Sequence, residues 1–242
     1  MSRDVEYLIV DIETVVDALL VYGVKYFGEP PCDPVARYEE ELRAAGKDPF
    51  IPPTYHVPAV IGVAKVLGDL SMTDLVALDG PPADLTSKFW RAVQLWEPTL
   101  VTFNGRGFDL PVLACNALRH GVACPPYFLK ADYTHRYSGR HLDLMDWFTN
   151  HGAWRLAGGL ELCSRLCGGP GKSGGGASVA EMYNTGRLAE LKAYCLRDVV
   201  ETYRLLLRSK VLQGALSRER EAQLMATAEE KLCRENQSSS HP

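Results

Sequence analysis

Val5-Glu6-Tyr7-Leu8-Ile9-Val10-Asp11-Ile12-Glu13 is an apolar run rich in β-formers that ends on two acids, and it has the pattern of a central strand covered on both faces. Successive side chains of a strand point to opposite faces, so Asp11 and Glu13 look the same way. Burying even one unpaired carboxylate costs on the order of several kcal/mol. Cations would neutralise the pair, protonation would silence it, and a strand ending at Glu13 would leave both acids in water. On Asp-x-Glu alone, the solvated strand end is the default reading.

Working outward, two more strands are expected at 59–67 and 73–79, forming a hairpin turned at Gly68-Asp69. A helix over 83–96, a strand over 99–103 and a helix from Asp109 to Gly121 follow. Beyond them, His141-Leu-Asp-Leu-Met145 reads as a short strand, 155–167 as helical and Gly168 to Gly176 as a flexible glycine-rich loop. Residues 187–212 read as a long helix and 217–234 as a more polar one. Strands alternating with helices make an α/β protein. Residues 15–57 read as an insertion with one helix, in which Asp33 is the cap, Pro34 lies in the first turn and Gly46 marks the end. One domain over 1–234, followed by a disordered tail at 235–242, is expected.

With 242 residues, 46% hydrophobic and 23% charged, the chain has the usage of a soluble globular protein with a sizeable core. No run approaches the roughly 20 apolar residues that span a bilayer, and the N-terminus leads into a strand, so a cytoplasmic location and no membrane contact are expected. Seven cysteines at irregular spacing suit reduced thiols, and Cys163 with Cys167 lack a second ligand pair for zinc. A net charge of −4 argues against a protein that coats nucleic acid. The stretch 119–172 nevertheless holds seven Lys or Arg and four His against four acids. It reads either as a phosphate-facing surface or as a solvated charged face.

Two further acids stand out. Phe103-Asn104-Gly105-Arg106-Gly107-Phe108-Asp109-Leu110-Pro111 joins a strand to a helix, and loops at the carboxyl ends of strands are where α/β sheets bind ligands. Helix capping would also explain Asp109. Tyr194-Cys-Leu-Arg-Asp198 lies inside the long helix, and Asp198 falls on the apolar stripe that includes Leu188, Leu191, Cys195, Val199, Thr202 and Leu206. Residues four apart share a helix face, so the Tyr194 hydroxyl and the Asp198 carboxylate look into a common space.

In order, Asp11-x-Glu13, Asn104-x-x-x-Phe108-Asp109 and Tyr194-x-x-x-Asp198 resemble the three motifs of the DEDD exonucleases, in the tyrosine subclass. More narrowly the chain is similar to stand-alone 3′-5′ exonucleases related to the proofreading domain of family B DNA polymerases, a likeness shared by His141-Leu-Asp-Leu-Met-Asp146 and Gly169-Pro-Gly-Lys172. The resemblance implies a ribonuclease H-like α/β fold, a mixed five-stranded sheet flanked by helices. It implies Asp11, Glu13, Asp109, Tyr194 and Asp198 as catalytic residues. The four acids would hold two divalent cations, Mg²⁺ or Mn²⁺, which hard oxygen ligands favour, and Tyr194 would orient the attacking water. The implied reaction is hydrolysis at the 3′ ends of single-stranded nucleic acid, DNA before RNA, releasing nucleoside monophosphates.

Thr14, Asn104, Arg106 and Phe108 adjoin the ligands and are the candidate substrate contacts, although Phe108 also suits a packed position. Asp143 reads as a support for the site or as a strand-end aspartate bonded to backbone. Two other classes remain to be weighed. Gly171-Lys172-Ser173 suggests a P-loop, but the signature needs glycine where Leu166 stands, which leaves Lys172 at most a phosphate contact. A catalytically silent nucleic-acid-binding or scaffold protein on the same fold is disfavoured by the presence of all four acids and the tyrosine. The 15–57 segment departs from the polymerase domains and reads by default as a tolerated elaboration.

Overall fold

The computed structural model describes residues 5–170 and 176–238. Strands β1 (Tyr7–Val16), β2 (His56–Val66), β3 (Met72–Asp79), β4 (Thr99–Thr102) and β5 (His141–Asp143) form one sheet in the order β3-β2-β1-β4-β5. The pairs β1–β2 and β2–β3 are antiparallel, whereas β1–β4 and β4–β5 are parallel. This is the expected mixed five-stranded sheet of a ribonuclease H-like protein. The helices are α1 (Ala18–Lys25), α2 (Pro34–Ala44), α3 (Pro82–Trp96), α4 (Asp109–His120), α5 (Pro125–Phe128), α6 (Ala131–Thr134), α7 (Leu144–Phe148), α8 (Gly159–Leu166), α9 (Gly176–Asn184), α10 (Leu188–Leu212) and α11 (Arg218–Ser238). None among the described residues is long and apolar enough to cross a membrane. All seven cysteines are free.

The alternation of β1 divides the core into two layers. Leu8, Val10 and Ile12 pack with Phe89 and Trp90 of α3 and Leu113 of α4. Ile9 packs on the other face with Val199, Tyr203 and Leu206 of α10. Burial of each such side chain contributes roughly 1.5–3 kcal/mol, so the sheet is held from both sides. Asp11 and Glu13, two and four residues beyond Ile9, therefore face α10.

Several boundaries differ from the sequence reading. β1 does not stop at Glu13: a bulge between Glu13 and Thr14 resets the register, and Val15 and Val16 still pair with Val57 and His56. The excursion is accordingly shorter than 15–57, closing where the Asp17 N–H donates to the Tyr55 carbonyl at 2.8 Å. It holds two helices, because Asp17 caps α1 by accepting from the Leu20 N–H. The apolar residues after β1 hid that helix by reading as strand. At the other end α11 continues to Ser238, past the expected limit at 234, since Glu235-Asn236-Gln237 contains no breaker. Lys172 and the P-loop-like run lie outside the described residues.

Candidate active site

β4 pairs only with Tyr7–Ile9, so the following stretch of β1 has no strand on that edge. Asp109 fills part of the gap: its Oδ1 accepts from the Ile12 N–H at 3.2 Å. The cap position of α4 belongs instead to Phe108, which makes no side-chain capping bond, so ordinary capping does not account for Asp109. A tight loop delivers it. Asn104 adopts a left-handed φ of 64°, and its carbonyl accepts from the Gly107 and Phe108 N–H groups at 3.1 Å each. Gly105 lies so close to Thr102 that a Cβ would sit 2.5 Å from that side chain. Asp143, at the end of β5, accepts from the N–H of Asn104 and of Arg106, both at 2.9 Å, and also caps α7 through Met145 and Asp146. It is a strand-end aspartate whose backbone bonds anchor the loop before Asp109.

Helix α10 brings the remaining groups. Tyr194, Cys195 and Asp198 are buried on its sheet-facing stripe. The helix approaches closely because Asp11 pairs in register with Gly62 of β2, where a Cβ would lie 2.7 Å from Val199 Cγ2 and 2.8 Å from Cys195 Sγ. Cys195 is the residue whose part in the site the sequence concealed. Its thiol donates toward the Asp11 carbonyl at 3.5 Å and toward Asp11 Oδ2 at 3.7 Å. One ligand atom each of Asp11, Glu13 and Cys195 lie within 4.8 Å of one another. Burial first, then the charges of Asp11, Glu13 and Asp198, hold the thiol well above its ordinary pKa. Asp11 and Glu13 thus lie beside one sulfur, and Asp198, three residues on along α10, adds its charge to their effect.

Glu13 is 6% exposed and β1 continues past it, which removes the explanation that the strand simply ends there in water; Asp11 is half-buried, and Asp198 on α10 is 1% exposed. Asp11, Glu13, Asn104, Phe108, Asp109 and Glu161 border one cleft of about 390 Å³. Glu161, from α8, reaches it because Gly158 and Gly159 both take positive φ and start that helix later than residue 155. Nothing in its own sequence context marked it. The donor set is oxygen-rich and acidic, and the sulfur among it is kept as a thiol, so hard divalent cations such as Mg²⁺ or Mn²⁺ fit the residues present.

Two expected contacts point elsewhere. Arg106 directs its guanidinium to the Thr134 carbonyl at 3.4 Å and to Asp146 at 3.7 Å, bordering a separate cleft with Arg136 and His151. Thr14, turned by the bulge, meets His56 Nδ1 at 2.8 Å. Asn104 and Phe108 border the carboxylate cleft, and Phe108 is half-buried against the α3–α4 layer, the packed position the sequence allowed.

A family model described as a predicted 3′-5′ exonuclease related to the exonuclease domain of PolB matches residues 48–242. No curated protein matches the chain significantly. The matched span includes Asp109, Tyr194 and Asp198 and begins after Asp11 and Glu13, which join the site through the register of β1 and their approach to α10. With four-fifths of its length matched, the chain belongs to the predicted 3′-5′ exonucleases related to the exonuclease domain of PolB.

Proposed function

We propose that this protein hydrolyses phosphodiester bonds at the 3′ ends of single-stranded nucleic acid, DNA before RNA, and releases nucleoside monophosphates. The observation that carries the reading is the family match, supported by Asp11 and Glu13 meeting beside α10 and by Asp109 bordering the same cleft as both. Asp11, Glu13, Asp109 and Asp198 would hold two divalent cations, whose Lewis acidity activates water and stabilises the departing 3′ oxygen when they are bound. The chain's own contribution is positional. Asp109 is tied to the β1 backbone, and Asp198 is fixed by a helix packed tightly on Gly62, so neither carboxylate needs to reorganise during the reaction. Tyr194, one turn before Asp198, is placed to orient the attacking water. Asn104 and Phe108 face the terminal nucleotide.

Digestion of 5′-labelled and 3′-labelled single-stranded DNA and RNA with Mg²⁺ or Mn²⁺ tests activity, polarity and sugar preference together. Wild type should shorten 5′-labelled strands in single-nucleotide steps and release labelled mononucleotide from the 3′ end. Asp198→Asn should lose at least about a hundredfold, since even groups that only support a metal ligand are worth 10–100-fold. Full activity of a folded Asp198→Asn protein would end the proposal.

A further inference from the structure

The excursion between β1 and β2 is firmly seated. Val21, Tyr26 and Ile51 are buried, Asp17 pairs with Arg119 of α4, and Asn116 of α4 donates to the His56 carbonyl at 3.0 Å. Yet this anchored segment leaves Phe50 55% exposed. The Phe50 ring stacks on His56, with centroids 5.5 Å apart and planes 26° apart, and its edge meets Phe108 at 5.5 Å. His56 and Phe108 complete the trio at 5.4 Å. Both nitrogens of His56 are engaged, by Thr14 Oγ1 and the Ile51 carbonyl, so the plane of the ring beneath Phe50 is set. These three rings form a wall between two clefts: Phe108 borders the carboxylate cleft, and Phe50 with His56 borders a larger one of about 620 Å³. Thr14 and Val15, directly after Glu13, line it, as do Tyr183 and Asn184 of α9.

Resting on the exonuclease reading, we propose that this second cleft is a base-binding groove for the single strand leading to the carboxylates, with Phe50 as its stacking platform. Aromatic faces bind single strands because every base offers a π-face. The charges in the groove select the base over the backbone: Asp33 and Glu39 border it, Glu39 in an ion pair with Arg43, and no Lys or Arg is among its described lining residues. Asn184 and the Tyr183 hydroxyl offer hydrogen bonds to base edges. The excursion thereby has a role in substrate binding, supplying the exposed face of Phe50.

Binding of a short 5′-fluorescent oligothymidylate to full-length protein, measured by anisotropy in the turnover-deficient Asp198→Asn background, tests the groove without requiring hydrolysis. Phe50→Ala should raise Kd about tenfold, the effect of losing one stacked base, and Phe50→Tyr should restore it. An abasic strand of the same length should bind Phe50→Ala and its parent alike. Equal Kd values for Phe50→Ala and its parent, no binding by the parent, or an equal loss with the abasic strand would each overturn the groove. Phe50-dependent binding by a protein that degrades no strand would support the groove while removing the exonuclease reading.

Discussion

Both carboxylate oxygens of Asp143 are committed to backbone N–H groups, Oδ2 to Arg106 and Oδ1 to Asn104, Met145 and Asp146. Hydrogen bonds to a charged group contribute about 1.5–3 kcal/mol and a lost helix cap costs about 0.5–2 kcal/mol, so Asp143→Ala should destabilise the fold by about 2–4 kcal/mol in urea unfolding. Its activity should fall as well, because the loop it holds leads to Asp109; a loss below about 0.5 kcal/mol would remove the anchoring role. On the same strand, His141 is buried against Thr102 Oγ1, and burial, then the charge of Arg106, pushes its imidazole down to about 3. The unfolded chain takes up a proton near pH 6.5 that the native state refuses until about pH 3. Stability is therefore complete above pH 6.5 and declines as pH falls toward 3, by at most about 1.4 kcal/mol per pH unit from this group. Urea midpoints at pH 7 and pH 5 should differ less in His141→Asn than in wild type. Identical slopes would show that His141 is not the source. Asp143 was legible as a strand-end acid, whereas the engagement of Arg106 with Asp146 was not, since adjacency in sequence says nothing about which way a long side chain turns.

Contact between α10 and the sheet decides how the acids meet. Gly62 is the closest point, and a methyl there would press on Val199 and Cys195 within 3 Å. Overpacking of this kind costs about 1–3 kcal/mol, and relief requires α10 to move outward and take Asp198 with it. Gly62→Ala should thus lower the melting temperature by several degrees and depress kcat more than Gly121→Ala, whose site at the end of α4 is open and remote from the acids. Equal kcat values for the two would contradict control of the site by helix approach. At this scale periodicity served well, because a 3.6-residue repeat placed Tyr194 and Asp198 on the apolar stripe and a two-residue repeat placed Asp11 with Glu13. It failed at the end of β1. There strand residues and the first turn of α1 are alike apolar, and the bulge after Glu13 depends on pairing with β2, a strand some forty residues away.

For the molecule as a whole, gathered acids mean that a cation binding the native state should stabilise it. Binding at a hundred times Kd contributes about 2.7 kcal/mol, roughly 5–10 °C in a protein of this size. Melting scans with rising Mn²⁺ should show such a shift in wild type and lose it in Asp11→Asn; the absence of any wild-type shift at concentrations that support activity would count against metal binding by these acids. Local repeats were enough for the α/β class, the sheet's buried centre and the facing of Asp11, Glu13 and Asp198, because pleat and helical repeat act over a few residues. Only the tertiary structure decided that Gly62 admits α10, that Cys195 lies beside Asp11, that Thr14 turns to His56, and that Phe50 reaches Phe108 from 58 positions earlier in the chain. Those meetings depend on how separate elements pack against one another. No local repeat encodes such a contact, which is why the opening strand announced its two acids but not what surrounds them.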